Sequence, residues 1–158
     1  MRALRFVSMT GPAASCEYCC MLLLRINPKF RILAKSKPAD ECDIILLVNK
    51  FGHVPEQFLE LVREATEIEI QHENGIYLRF WGPKGCVEMD DGYAISQRIA
   101  GAISIGDDGG GRVVFYMDGK SGFGLYIVGY GAIDADDATW ITATLEELLV
   151  DAKGINVF

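Results

Sequence analysis

Nucleophilic catalysis needs a base beside its nucleophile, and zinc needs ligands at fixed spacings, so the five cysteines and two histidines are weighed first. Cys16 and Cys19 form a C-x-x-C, which supplies two zinc ligands. Neither His53 nor His72 belongs to a second pair at ligand spacing. Cys16, Cys19, Cys20, Cys42 and Cys86 lack the regular spacing of a secreted disulfide framework and read as reduced thiols. His72-Glu73 lacks the second histidine that a zinc-protease helix would require at position 76, and both histidines read as surface residues beside turns.

The run Gly106-Asp107-Asp108-Gly109-Gly110-Gly111-Arg112-Val113 has the outer-glycine spacing of a phosphate loop. Arg112 replaces its lysine, Val113 offers magnesium no hydroxyl, and Asp107 and Asp108 put negative charge where phosphate oxygens would sit. The run reads instead as a tight acidic connection into a strand. Glu88, Asp90, Asp91, Asp107, Asp108, Asp134, Asp136 and Asp137 read mostly as solvated loop charges. The Asp134 segment lacks the glycine and terminal glutamate of a calcium loop. No catalytic residue, cofactor or metal ligand is assigned, and the chain is expected not to be an enzyme.

Composition narrows the partners. The 158 residues are 50% hydrophobic and 23% charged, which fits one folded domain. The longest uncharged stretch, Ser121 to Ile133, is short and glycine-rich, so no membrane span is expected. A formal charge of −7 repels phosphate backbones and anionic lipid headgroups unless a local basic patch overrides it. Nucleic acid and membrane are therefore disfavoured as partners, and a basic protein is favoured. Ala13-Ala14-Ser15-Cys16 faintly resembles a lipoprotein cleavage site. Arg5, however, interrupts the apolar core that an export signal needs, so a cytoplasmic location is expected.

The elements that position these residues follow from periodicity. Residues 1–20 read as an N-terminal lead, with Met21 an alternative start, and 21–158 as one domain. Leu22 to Leu33 suggests an edge strand or extended arm. Asp40 and Asp43 mark the start of a helix carrying Ile44, Leu47, Val48 and Phe51 on one face, and Gly52 ends it. Pro55 suits the first turn of a second helix bearing Phe58, Leu61, Val62 and Ala65, and the two helices are expected to pack as a hairpin. Strands follow at Thr66 to Gln71 and Ile76 to Trp81, joined by Glu73-Asn74-Gly75. Pro83 opens a helix that ends near Asp91-Gly92 and carries Val87 and Met89 toward the core. An irregular stretch leads to Ala102 to Ile105, and Arg112 to Met117 and Phe123 to Tyr130 form a second hairpin. Trp140 to Thr142 adds a short strand. Thr144 with Glu147 forms a capping box ahead of Leu145, Leu148, Leu149 and Ala152, with Gly154 as the stop. Helices, hairpins and a final helix predict an α+β fold with a mostly antiparallel sheet of about five or six strands covered by helices.

Taken in order, these segments resemble the SUKH superfamily, which includes the Smi/Knr-type glucan synthesis regulators and many bacterial immunity proteins. The resemblance covers about residues 30–158. It rests on Lys37-Pro38-Ala39-Asp40, His53-Val54-Pro55-Glu56-Gln57-Phe58, Tyr77-Leu78-Arg79-Phe80-Trp81-Gly82-Pro83, Glu88-Met89-Asp90-Asp91-Gly92-Tyr93, Ile105 to Gly111, and Thr144-Leu145-Glu146-Glu147-Leu148-Leu149. One departure is the end of the second helix, where relatives often carry Asn-Gly-Gly and this chain has Glu64-Ala65-Thr66-Glu67. The resemblance implies a cytoplasmic binding domain that neutralises a cognate toxin, often a basic nuclease or deaminase domain, without enzymatic activity. Glu88, Asp90, Asp91, Asp107 and Asp108 are the candidate partner-binding residues. The alternative is a housekeeping regulatory module with no toxin partner.

Overall fold

The computed structural model describes residues 21–158. The lead expected over residues 1–20, with Cys16, Cys19 and Cys20, lies outside them. Seven antiparallel strands neighbour one another in chain order: β1 (Phe30–Lys35), β2 (Ile68–His72), β3 (Tyr77–Phe80), β4 (Ile103–Asp107), β5 (Arg112–Gly119), β6 (Gly122–Gly129) and β7 (Thr139–Thr142). The helices are α1 (Glu41–Phe51), α2 (Glu56–Glu64), α3 (Pro83–Tyr93), α4 (Ile95–Arg98) and α5 (Leu145–Leu149), with short 3-10 turns at Leu22–Arg25, Tyr130–Ala132 and Ile155–Val157.

The α+β class and the antiparallel sheet are as expected, and the strand count is corrected to seven. The strands that blur the count are β1, β4 and β7. Charges interrupt β1, the approach to β4 has no periodicity, and β7 is four residues long. Each finds its place through a neighbour already in the sheet, which local pattern does not show.

Burial follows strand position. In β2 and β3 it alternates: Ile68, Ile70, His72, Leu78 and Phe80 are buried, while Glu69, Gln71, Tyr77 and Arg79 are half-buried. One face of this end of the sheet is closed and the other is partly open. In β5 and β6 the alternation vanishes, because Val113 to Met117 and Leu125 to Val128 are all buried. Both faces of the central strands are covered. Phe58, Phe80 and Phe115 anchor this core, each contributing about 1.5–3 kcal/mol by leaving water.

The expected α1–α2 hairpin is not the main packing. α1 lies chiefly against α3, and α2 against the Leu22–Arg25 turn and α5. Asp43, near the start of α1, pairs with Lys84 at the start of α3, and Lys50, near its end, pairs with Asp90 and Asp91. The two helices therefore run in the same direction. Gly52, with φ +79°, ends α1 as expected. Asp40 precedes α1 but its side chain caps nothing, and Pro55 stands one residue ahead of the first turn of α2. Glu64, the last residue of α2, accepts the amides of Leu22 and Leu23 and fixes the start of the first 3-10 turn.

In α3 the inward positions are Cys86 and Asp90, four residues apart, with Val87 and Met89 half-buried. Burial pushes the Cys86 thiol well above its ordinary value, so it stays protonated. α5 is shorter than its pattern suggested, and Gly154 does not close it. A Cβ at Gly154 would lie 2.3 Å from the Ile141 carbonyl oxygen, so glycine there permits the chain to pass close to β7.

The capping box forms with a shifted return arm. Thr144 Oγ1 accepts the Glu147 amide at 3.1 Å, while the Glu147 carboxylate accepts from the Ala143 amide and the Thr142 hydroxyl. Thr144→Ala is expected to lower stability by about 1 kcal/mol, read as a shift in the urea midpoint. A midpoint equal to wild type would show that the Glu147 arm alone holds the helix end.

Candidate functional site

Among the described residues, no group of three or more His, Cys, Asp or Glu side chains is placed to hold a metal ion. Polar side chains converge instead where β3, β4 and β5 meet the end of α3. Arg79 and Asp107 are directly opposite on β3 and β4. Asp107 Oδ2 accepts from Arg79 Nε at 3.0 Å, Arg79 Nη2 at 2.8 Å and Trp81 Nε1 at 2.8 Å, and its Oδ1 accepts the Gly109 amide at 2.9 Å. That hydrogen bond to Asp107 holds the Arg79 guanidinium above its ordinary pKa, although partial burial opposes it. The carboxylate thus ties two strands and a loop together while lying almost fully buried.

Asp108 does similar work one residue on. Its Oδ1 accepts the amides of Gly110 and Arg112, and its Oδ2 accepts Arg112 Nε at 2.6 Å. Gly109 and Gly111 take φ +68° and +94°, conformations that an L side chain rarely adopts. A Cβ on Gly109 would also lie 2.8 Å from the Tyr77 ring. The glycine run is therefore the tight acidic connection that the sequence suggested, held shut by its own two carboxylates.

Burial tends to raise the Asp108 carboxyl, but the Gly110 amide and the Arg112 guanidinium and amide outweigh it and hold the group below the ordinary range. A carboxylate lowered in the fold contributes stability that is complete above its unfolded pKa, about 3.9, and is lost as acid titrates it through its lower folded value. Asp108→Asn is therefore expected to flatten the fall in urea midpoint between about pH 4 and pH 2. An acid limb as steep as that of wild type would show that Asp108 carries none of it.

Over this network sit two tyrosines. Tyr130, in the 3-10 turn after β6, donates its backbone amide to the Gly111 carbonyl, and its ring packs on Tyr93 with centroids 4.3 Å apart. Burial raises the Tyr130 phenol strongly, and the nearby Asp107 carboxylate adds to the effect. Its hydroxyl has no hydrogen-bond partner among the described residues. Tyr93, the last residue of α3, is 43% exposed.

The five acidic candidates divide. Asp107 and Asp108 are internal ligands of the β4–β5 connection. Asp90 is 2% exposed and accepts the amide and hydroxyl of Ser96, fixing the step from α3 into α4, while Lys50 balances its charge at 3.3 Å. Burial on this scale takes Asp90 and Asp107 out of direct reach of a partner. Glu88 and Asp91 are exposed, three residues apart on α3 and close in sequence to Tyr93. Asp91 also binds Lys50 at 2.6 Å, and its hydrogen bond, ahead of opposing burial, raises the lysine above its ordinary pKa.

The histidines divide too. His53 is exposed, as expected. His72 is not a surface residue: it is buried, edge-on to Phe30 with ring centroids 5.1 Å apart, and its Nδ1 accepts the Asn74 amide. It falls on the inward phase of β2, a position that the alternation of Ile68 and Ile70 already marked.

Arg79, Trp81, Tyr93 and Tyr130 were not singled out as site residues. A signal for the loop existed, since an Asp two residues before a glycine favours the Asx turn that Asp107 makes to Gly109. The meeting of Arg79 with Asp107 depends on strand register and had no local signal.

No described helix is long and apolar enough to cross a membrane. A scan of the chain against protein-family models matches none of them, and a search of curated proteins finds no similar sequence.

Proposed function

We propose that this chain is a protein-binding domain without catalytic activity, of the bacterial immunity type. It acts in the cytoplasm by covering a basic nuclease- or deaminase-type toxin domain. The observation that carries the reading is Tyr93: an exposed aromatic ring, backed by Tyr130 on a network pinned by Asp107 and Asp108, on a helix that also exposes Glu88 and Asp91 on its other faces. Exposed aromatics on rigid supports are favoured anchors of protein interfaces, because little side-chain freedom is lost on binding. The exposed carboxylates of α3 and a net charge of −7 favour encounter with a basic surface. The resemblance to the SUKH superfamily points the same way.

The test is co-expression with the toxin domain encoded beside this gene, followed by affinity measurement at two salt concentrations. Protection of the cells and a salt-sensitive complex are expected. Tyr93→Ala should weaken binding by about tenfold or more with the melting temperature nearly unchanged, and Glu88→Lys should slow association. Lack of both protection and complex would overturn the proposal. Recovery of an endogenous non-toxin assembly through the same Tyr93 surface would replace it with the housekeeping module.

A further inference from the structure

The acidic chain carries one strongly basic segment. Between Leu22 and Ala39 there is no Asp or Glu, while Arg25, Lys29, Arg31, Lys35 and Lys37 supply five of the fifteen Lys and Arg. Most of this segment is β1 and its flanks, and β1 is an edge strand: it pairs with β2 on one side, and among the described residues no strand pairs with its other side. From Arg31 to Lys35 every residue is exposed, including Ile32 at 40% and Leu33 at 43%.

Hydrogen bonding shows which backbone groups are unused. Glu73 donates its amide to the Lys29 carbonyl and Ser36 donates to the Glu67 carbonyl, so the backbone at Lys29 and Ser36 faces β2. Counting inward by twos, with the irregularity between Ile32 and Ala34 resetting the phase, leaves Ile32 and Lys35 with N–H and C=O groups on the outer edge. A groove of about 380 Å³ lies beside the start of the strand, lined in part by Pro28, Lys29, Arg31 and Gln71.

We propose that the outer edge of β1 is a docking site for an extended acidic segment of another protein, which adds to the sheet as an eighth strand. Main-chain bonding to the free edge supplies the register, Ile32 and Leu33 supply apolar contact, and the lysines and arginines select the partner. Charge decides among the occupants. A second copy would set like charges against like, which is destabilising across paired strands. Residues 1–20 carry Arg2 and Arg5 with Glu17 as their one carboxylate, so they offer no acidic strand. Lys29 is already engaged by Glu73 at 3.2 Å, but Arg31 bonds to the neutral Gln71 amide oxygen, and Lys35 and Lys37 stand exposed. This edge differs in charge and position from the Tyr93 surface and does not depend on it.

The test uses a short peptide alternating glutamate with valine as the probe, and its lysine–valine counterpart as the control. The acidic peptide should bind the full chain and slow hydrogen exchange at the Ile32 and Lys35 amides. Affinity should fall about tenfold in the double variant Lys35→Glu, Lys37→Glu, and fall similarly in Ile32→Pro, which removes an outward N–H without changing charge. Circular dichroism and melting curves establish that each variant is folded, and the exchange measurement on the unaltered chain needs no variant. Failure of the acidic peptide to bind, or binding without protection of those amides, would overturn the proposal. So would Ile32→Pro binding as tightly as wild type. If anionic lipid vesicles or single-stranded nucleic acid bind as well as the peptide and respond to charge reversal alone, the edge is an electrostatic surface and the proposal fails.

Discussion

Asp107→Ala is expected to lower the melting temperature by about 10 °C, the larger of the two major effects. The substitution removes the acceptor for Arg79, Trp81 Nε1 and the Gly109 amide at once. Arg79 is 39% exposed at its side chain and can turn toward water, so its share is modest. The Trp81 indole N–H is buried and cannot do so, and the Gly109 amide holds the turn that leads into β5. Leaving such donors without a partner costs about 1–3 kcal/mol each, and loosening the loop adds to it, for a total of about 3–4 kcal/mol. In a chain of this length each kcal/mol shifts the midpoint by about 2–4 °C. Asp107→Asn keeps one acceptor oxygen and should fall between the two. A drop of less than about 2 °C for Asp107→Ala, measured by calorimetry, would show that the network is incidental.

Gly106→Ala should destabilise by about 3 kcal/mol for a different reason. Its Cβ would lie 2.2 Å from the Arg79 carbonyl oxygen and 3.2 Å from the Arg79 carbonyl carbon and Phe80 Cα. These are backbone atoms of the facing strand and cannot rotate aside. β3 and β4 are joined at two aligned pairs, Arg79 with Asp107 and Phe80 with Gly106, so separating the strands breaks much of their ladder. It also draws Asp107 away from Arg79. The two substitutions should therefore not add: urea unfolding of the double variant should show a loss smaller than the sum of the singles by about 1 kcal/mol or more. Strict additivity would mean that the steric clash relaxes without disturbing the Asp107 network.

Much of the scaffold was legible because the pattern is local. Ile44 and Leu47 in α1, Phe58, Leu61 and Val62 in α2, and the alternation around Ile68 and Ile70 all follow from spacing, and each is buried as its period requires. The Thr144 cap and the Gly52 stop likewise depend on a few neighbouring residues. What was not legible depends on distant partners. α1 lies beside α3, where Asp43 meets Lys84 and Lys50 meets Asp90 and Asp91, pairs about forty residues apart that no local pattern announces. The acidic candidates were read as one class from their charge. The fold then buried Asp90 and Asp107 against specific donors and left Glu88 and Asp91 outside, a distinction set by helix phase and strand register. His72 was misread because a hairpin turn close by suggested exposure, although strand phase put its ring inward.

The chain-order arrangement of all seven strands has a kinetic consequence. Each strand pairs with the next strand of the chain, but the closure distances differ. β2–β3, β4–β5 and β5–β6 are joined by short turns, whereas α1 and α2 intervene between β1 and β2, and α3 and α4 between β3 and β4, so those two pairings cost more loop-closure entropy. During synthesis the first tight turn to emerge is the one joining β2 to β3, and β7 and α5 complete the sheet last. The β4–β5–β6 turns should therefore form early in refolding, with the docking of β1 on β2 and of β3 on β4 following.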